Sequence, residues 1–385
     1  MRVVTPSSRS HAAFALATFL FWSSMYLYVP ILAVHAENLG ASAGLVGAVV
    51  GSYGLTQMLL RFPVGVASDR LGARKPFILV GIAAAGLGAL GMGMTSDPAW
   101  LVLGRGMSGV GAAGWVAFTV LYAAYLEPGE VTRAMGRMAF IGGTAQMVST
   151  YSGGLIAQNL GWSAPFYGAA ALAAAGLLIA STLKEKALPA RRDQPPRGLL
   201  RIGTVPLLVA VSTVTMLATW TQWATANSFS LVYAAHLGAD RAELGFQSTL
   251  VQAAYTMAVL LSPYLVDRIG MRRVGVLGLT IQSLGALAVP FTDSLSVVAL
   301  TQLMSGGGRG LTYPAMMGLS VRAVPDADRA SAMGVFQAVY ALGIFGGPAT
   351  TGLLADHFGL ESVFLVAAGA TMVGIFVVMR HVPWK

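Results

Sequence analysis

Twelve apolar segments, each long enough to cross a lipid bilayer, follow one another along this chain of 385 residues. A membrane-spanning helix needs about 20 consecutive apolar residues, and a backbone in lipid must satisfy its own hydrogen bonds. Only 10% of the residues are charged, whereas a soluble domain carries about 25%. We therefore predict an all-α integral membrane protein. Its twelve predicted transmembrane helices are 12–35, 44–67, 76–95, 99–123, 132–158, 164–183, 205–235, 243–266, 273–292, 296–321, 330–354 and 360–380.

The basic residues are distributed unevenly between the two sides of these predicted helices. If the N-terminus lies inside the cell, all but three of the 24 Lys and Arg residues fall on the inner side, Arg61 among them. The exceptions are Arg241 in an outer loop, and Arg105 and Arg309 within spans. Cytoplasmic loops of membrane proteins carry such an excess of Lys and Arg. We expect a multi-pass protein of the plasma membrane with both termini in the cytoplasm.

Composition excludes several classes of function. The net charge of +9 does not indicate nucleic-acid binding, because the basic residues are spread over short loops between helices. The absence of cysteine excludes disulfides and thiolate metal sites, and the five histidines have no paired spacing. An enzyme would need a cluster of histidines or carboxylates at membrane depth, and none is visible. We expect no cofactor, no metal and no enzymatic activity.

One charged phrase occurs twice, 198 residues apart, as Asp69–Lys75 and Asp267–Arg273. The tripeptide Met107–Gly109 recurs as Met304–Gly306 at nearly the same offset. A repeat with a fixed offset indicates a chain built from two similar halves. With an even number of helices in each half, the two six-helix repeats are parallel. We predict three parts: an N-terminal bundle at 1–183, a charged cytoplasmic linker at 184–204 and a C-terminal bundle at 205–385.

The first copy of the phrase carries a family resemblance. Gly65–Lys75 contains Gly, three residues, Asp-Arg, one residue, Gly, one residue and two basic residues. This pattern resembles the signature of the major facilitator superfamily between spans two and three. The second copy keeps the Asp-Arg, Gly and basic positions but has Pro263 in place of the first glycine. The resemblance implies a secondary transporter that works by alternating access.

The resemblance also implies that the repeated phrase is a gate. In the family it latches the cytoplasmic side closed in the outward-facing state, and a plain loop that follows the positive-inside bias is the alternative. A carboxylate at a helix end can pair with an Arg, and the basic residues hold the loop at the anionic inner leaflet. The candidate gating residues are Gly65, Asp69, Arg70, Gly72, Arg74, Lys75, Asp267, Arg268, Arg272 and Arg273.

Arg105 lies within predicted span four and is followed four residues later by Gly109. An ionisable residue inside the bilayer is costly and is a functional candidate by default. The segment resembles the span-four motif of the same family, which implies assistance in proton coupling. The alternative is an Arg paired structurally within the bundle.

Arg309 lies in the middle of span ten, where the repeat would place a counterpart of Ala112. It is therefore not part of the duplicated pattern. The glycines around it would allow backbone or substrate to approach closely, and Tyr313 follows one turn later. Arg309 could bind an anionic or carbonyl group in a central cavity, or it could serve as a structural partner to a helix C-terminus.

The central cavity can be assigned by the same resemblance. Helices one, four, seven and ten line it in this family. No Asp or Glu lies in the middle of a predicted span, so we expect a substrate that is neutral, zwitterionic or anionic. The candidate substrate-binding residues are Tyr26, Arg105, Gln222, Trp223, Asn227, Arg309 and Tyr313.

These features favour proton-coupled export of a small organic molecule by a monomer in the lipid bilayer, because the chain is similar to drug-efflux branches of the family. The antiporter motif of span five is incomplete here: it keeps Gly136 and Gly154 but lacks its Gly-Pro pair. Uptake of a small anionic solute by symport is the alternative. A lipid scramblase or an intramembrane enzyme is a third hypothesis, from another class.

Overall fold

The computed structural model describes residues 8–126, 130–185, 203–325 and 328–384, and in these ranges the regular structure is entirely helical. The predicted linker lies mostly outside the described residues. The α-helices are α1 Ser8–Tyr26, α2 Val29–Asn38, α3 Ala43–Leu71, α4 Lys75–Met94, α5 Pro98–Ala123, α6 Val131–Leu160, α7 Ala164–Thr182, α8 Pro206–Ala224, α9 Ser230–His236, α10 Arg241–Ile269, α11 Met271–Ala288, α12 Leu295–Arg322, α13 Arg329–Phe358 and α14 Glu361–His381.

These helices form twelve rods in the described residues, which confirms the predicted number. The first rod is α1 followed by α2, and the seventh is α8 joined to α9 through a π-helical turn at Thr225–Phe229. Ten rods are long and apolar enough to cross a membrane by length and composition alone. The other two, α6 and α12, do not belong to that set.

Two rods are interrupted where the sequence analysis expected continuous helices. In the first rod, Leu27 and Tyr28 form a turn before α2 begins, and Pro30 lies in the first turn of α2. Proline cannot donate a backbone hydrogen bond, and in the first turn of a helix that donor would have no partner within the helix, so Pro30 suits the start of α2. The offset of the repeat maps this turn onto the start of the π-helical turn in the seventh rod. There Ser228 Oγ donates to the Trp223 carbonyl at 2.6 Å, which satisfies a group released by the wider turn.

The ends of the rods can be named by their charges. The basic end holds the two repeated phrases, where α3 and α10 finish at Leu71 and Ile269. The distal end is the opposite one, where α2 and α9 finish at Asn38 and His236. Gly72 closes α3 with a positive φ of 62°, a conformation that glycine adopts without steric cost.

The first six rods meet the last six along two helix pairs, α3 with α13 and α6 with α10. At the distal half of the first pair the backbones are so close that a Cβ at Gly47 would lie 2.1 Å from the Pro348 carbonyl oxygen. In the second pair a Cβ at Gly154 would lie 2.6 Å from the Arg241 carbonyl oxygen. Small residues allow such close approach between membrane helices. The distal halves of the two interfaces are therefore tightly packed.

The same interfaces separate toward the basic end. A Cβ at Gly65 on α3 would meet nothing within 4 Å, and the same holds for Gly334 on α13. The antiparallel register of α3 and α13 places these two glycines at the same level. Gly136 on α6 is equally unobstructed. The two halves thus touch at the distal end and diverge at the basic end.

A candidate binding site between the two halves

Arg105 on α5 is enclosed completely, with 1% of its surface exposed. Its terminal nitrogen donates to the Met25 carbonyl at 3.3 Å and to the Tyr28 hydroxyl at 3.1 Å. Its guanidinium carbon lies 4.4 Å from the ring centre of Tyr53, a distance at which a cation is attracted to an aromatic face. Tyr28 is also hydrogen-bonded to Ser108 Oγ at 2.6 Å.

These contacts place Arg105 at the interruption of the first rod. Carbonyl groups in the last turn of a helix have no partner within the helix, and Met25 lies in the last turn of α1. The Arg105 guanidinium supplies a donor to that carbonyl and holds Tyr28 within the break. This geometry joins α5 to the interrupted rod of the first half.

Arg309 on α12 is only partly buried. Its Nε donates to Thr219 Oγ1 at 3.4 Å, a distance near the upper limit for a hydrogen bond. Its guanidinium carbon lies 5.0 Å from the ring centre of Tyr255 and 5.5 Å from that of Tyr313. The predicted pair of Arg309 and Tyr313 is therefore in contact.

The glycines around Arg309 serve helix packing. A Cβ at Gly306 would lie 2.2 Å from the Val251 carbonyl, and one at Gly310 would lie 2.6 Å from the Tyr255 carbonyl, both on α10. A Cβ at Gly308 would lie 2.4 Å from the Gly278 carbonyl on α11. With α10 and α11 against these faces, Arg309 projects from the remaining face of α12 toward α8.

Arg61 lies inside the bundle, in the half of α3 nearer the basic end, whereas the sequence analysis counted it only among the basic residues of the inner side. It lies within α3, and its terminal nitrogen donates to the Tyr340 hydroxyl on α13 at 3.0 Å. The Tyr340 ring packs edge-on against Tyr313, with ring centres 5.8 Å apart. Arg61 is thus connected through two tyrosines to the surroundings of Arg309.

Tyr26 lies within electrostatic reach of both Arg105 and Arg309. It is partly buried at the end of α1, and its ring centre lies 6.0 Å from that of Trp22. The charges of Arg105 and Arg309 both act on its hydroxyl group. Because Arg309 belongs to the second half of the chain, Tyr26 faces the space between the halves.

The remaining predicted pocket residues lie on the seventh rod. Trp223 is buried and stacks on Tyr53, with ring centres 5.5 Å apart and planes inclined by 12°. Gln222 is buried, and its Oε1 has no hydrogen-bond partner among the described residues. Asn227 lies in the π-helical turn and is partly buried. No direct contact among the described residues joins Gln222 or Asn227 to Arg309.

Sequence reasoning left out five residues that the structure brings to this site, namely Arg61, Tyr28, Tyr53, Tyr255 and Tyr340. A tyrosine in an apolar segment gives no sign of whether it packs in the core or lines a cavity. One usable signal was present for Arg61, because it lies inside the predicted span 44–67.

The first copy of the repeated phrase is held together by charge. Arg74 forms an ion pair with Asp69 and also donates to the Ser68 carbonyl. The Glu185 carboxylate accepts from the backbone nitrogens of Arg74 and Lys75 at 3.0 and 2.7 Å. Lys75 Nζ donates to the Ser181 carbonyl. The loop is thus attached to the end of α7, within its own half.

The second copy has different contacts. Arg268 lies over the Tyr264 ring at 4.3 Å and Arg272 over the Trp384 ring at 4.2 Å. A Cβ at Gly270 would lie 2.3 Å from the Trp384 carbonyl oxygen. Within the described ranges Asp267 and Arg272 form no ion pair. Trp384 near the C-terminus therefore packs against Arg272 of this copy.

Polar contacts cross between the halves at the distal end. His236 Nε2 lies 2.9 Å from Glu37 Oε1, and the Asp356 carboxylate accepts from the Gly44 backbone nitrogen at 2.9 Å. Arg241 donates to the Ala157 carbonyl at 2.9 Å. A cavity of about 420 Å³ beside these contacts is lined by Val34, Asn38, Gln158, Trp162, Ala235, Ala239, Asp240, Arg241 and Leu244. It lies apart from the arginines at the bundle centre.

Fold and site together define a class of protein. Twelve membrane-length rods in two sets of six, joined at one end and parted at the other around charged side chains, form the architecture of a secondary membrane transporter. Residues 14–214 and 211–383 each match the model of the Major Facilitator Superfamily, and the chain belongs to this family.

Individual relatives support the assignment. An uncharacterised MFS-type transporter of Methanocaldococcus jannaschii is 23% identical over 382 residues, covering 95% of this chain and 96% of that protein. The inner membrane transport protein YajR of Escherichia coli is 34% identical over 186 residues, covering 46% of this chain and 39% of that protein. The crystal structure of the nucleoside transporter NupG has a TM-score of 0.82 at 16% identity, covering 98% of this chain and all of that one. This last likeness shows the fold alone.

Proposed function

We propose that the chain exports a small organic molecule by alternating access, using a proton gradient. The observation that carries this proposal is the difference between the two ends of one interface. Gly47 on α3 is in backbone contact with α13, whereas Gly65 on the same helix is unobstructed. A rocking motion of the halves that closes the basic end and opens the distal end would expose a central site to each side in turn.

The charges favour one side of the membrane for the open end. If the basic end faces the cytoplasm, as the distribution of Lys and Arg favours, the present state is open to the cytoplasm. Arg309 projects from α12 toward α8, where it contacts Thr219. In the proposed direction of export, substrate reaches the site from the cytoplasm in this state and leaves at the distal end in the opposite one. The repeated phrases at Asp69 and Asp267 would act as the gate that closes the basic end, with the chain working as a monomer in the plasma membrane.

Proton coupling is proposed from the family resemblance of the Arg105 segment. The sequence contains no phosphate-binding loop of the Gly-x-x-x-x-Gly-Lys type, so an ion gradient is the available energy source. Arg105 would act through the hydroxyl of Tyr28, with which it is hydrogen-bonded.

Import of a small anionic solute by symport is a second candidate, favoured by the partly buried Arg309. Counterflow in proteoliposomes distinguishes the two. Purified protein is reconstituted with trapped substrate, and flux is measured with a pH gradient imposed in either direction. The export proposal requires substrate to move against the proton flow. Movement of substrate in the same direction as the protons would contradict export and support import. Flux that does not respond to pH would refute proton coupling.

A further inference from the structure

The centre of the molecule carries positive charge without a carboxylate to balance it. Arg61, Arg105 and Arg309 lie within α3, α5 and α12. Every Asp and Glu among the described residues lies in a loop or near a helix end. A buried charge is costly unless it is paired, and the attraction between opposite charges is strong where water is excluded. An anion at the centre would therefore be stabilised.

Two of the three arginines are already engaged by the protein. Arg105 is enclosed and bonded to Met25 and Tyr28. Arg61 is bonded to the Tyr340 hydroxyl across the interface between the halves. In both, the Nε atom is buried without a partner among the described residues, so neither presents an accessible pair of donors.

Arg309 differs from both in that neither of its terminal nitrogens is engaged by the protein within the described residues. It is partly exposed, and its one hydrogen bond within the described ranges runs from Nε to Thr219 at 3.4 Å. Its two terminal nitrogens make no hydrogen bond there, and neither of them belongs to the fully buried, unpaired atoms. A guanidinium with a free terminal fork matches the geometry of a carboxylate, which it binds through two parallel hydrogen bonds.

The aromatic rings around Arg309 indicate which kind of group could lie beside a bound carboxylate. The rings of Tyr255 and Tyr313 lie at 5.0 and 5.5 Å from its guanidinium carbon. Tyr26 of the first half lies within electrostatic reach of Arg309, and its ring centre is 6.0 Å from that of Trp22. Aromatic faces favour planar groups that stack on them or meet them edge-on. The site thus combines one anion-binding fork with aromatic walls from both halves.

We propose that this site binds a planar organic carboxylate. The carboxylate pairs with the Arg309 guanidinium, and the ring lies beside Tyr255 and Tyr313. The proposal rests on the transport function above and names its substrate class. Arg309 would then select the charge of the substrate. The internal repeat does not share this residue, because its counterpart in the first half is Ala112.

The test uses three probes that share one ring system: naphthalene-2-carboxylate, its carboxamide and 2-naphthylmethylammonium. Binding to the purified protein is measured by titration calorimetry for wild type, Arg309→Gln and Arg309→Lys. We expect wild type to bind the carboxylate at least tenfold more tightly than the amide and to bind the cation least. Arg309→Gln should remove the preference for the carboxylate, and Arg309→Lys should retain part of it.

Arg322→Gln is the matched control, since Arg322 is an exposed residue at the basic end of the same helix. It should leave the preference unchanged. Tyr313→Leu should lower the affinity for naphthalene-2-carboxylate more than the affinity for acetate. Equal affinity of wild type for carboxylate and amide, an unchanged preference in a folded Arg309→Gln protein, or no carboxylate binding at all would overturn the proposal. Carboxylate binding without counterflow would instead contradict transport while leaving the anion site intact.

Discussion

Glu37 Oε1 and His236 Nε2 lie 2.9 Å apart at the distal end. This contact joins α2 to α9, the distal parts of the two rods that are interrupted halfway. Each part follows a break in the regular helix, at Leu27 in one half and at the turn starting with Thr225 in the other. The contact therefore links the two segments that follow these breaks.

Glu37→Gln should loosen the distal end. A surface contact of this kind contributes about 0.2–1 kcal/mol when both groups are charged, so the equilibrium constant for closing the distal end falls by at most about fivefold. The chain contains no cysteine, so Val50→Cys on α3, buried in the present state, is a specific probe. We expect faster thiol labelling of Val50→Cys when Glu37→Gln is added. Glu361→Gln, an exposed acid of the same end, is the control, and equal rates in both would show that the contact does not hold the distal end.

Gly47→Ala should force α3 away from α13, because its Cβ would lie 2.1 Å from the Pro348 carbonyl. Overpacking of a tight contact costs about 1–3 kcal/mol. We expect a lower melting temperature or a shift toward the state with an open distal end, read by the same cysteine probe. Gly91→Ala, whose Cβ meets open space, should behave as wild type. Normal stability and labelling in Gly47→Ala would contradict the close packing.

Gly65→Leu should leave the present state intact and block the opposite one. A Cβ at Gly65 meets nothing within 4 Å, so the larger side chain fits while the basic end is open. If α3 and α13 approach when that end closes, the leucine prevents it. We expect normal melting and ligand binding with counterflow reduced by about tenfold or more, equivalent to 1.4 kcal/mol. Gly91→Leu is the size-matched control. Unimpaired counterflow in Gly65→Leu would show that α3 does not form part of the gate.

Arg105 and Tyr28 should be energetically coupled. Hydrogen bonds to charged groups contribute about 1.5–3 kcal/mol, and residues in one network show non-additive effects. We expect the combination of Arg105→Gln with Tyr28→Phe to destabilise less than the sum of the single substitutions. Thermal or denaturant unfolding of the four proteins measures the coupling. Additive effects would mean that the contact at 3.1 Å does not stabilise the break between α1 and α2.

Much of the fold could be predicted from hydrophobic segments and the repeat. Predicted span 99–123 agrees with α5 at Pro98–Ala123, because Asp97 and Pro98 mark a helix start that sequence can show. The break in the first rod was missed even though Pro30 was visible, since membrane helices often tolerate proline. The π-helical turn has no proline, and it depends on hydroxyl groups such as Ser228 that could equally face a neighbour.

The site was predicted in part for a different reason. Arg105 and Arg309 were found because a charge inside an apolar segment is conspicuous, and Tyr313 because it follows Arg309 by one turn. Tyr53 and Tyr255 could not be found, because their contacts with the arginines depend on how α3 packs on α5 and α10 on α12. The asymmetry between enclosed Arg105 and partly exposed Arg309 also arises only from tertiary packing.

Paired spin-label distances would show whether the two ends of the molecule open and close in alternation. In the natively cysteine-free chain, one pair is placed at the exposed distal residues Leu160 and Phe358 and another at Leu71 and Arg322 of the basic end. Double electron–electron resonance is recorded with and without the naphthalene carboxylate and across pH. Alternating access predicts opposite changes: a population in which the distal pair lengthens while the basic pair shortens. Distances that change together, or that do not change under any of these conditions, would contradict it.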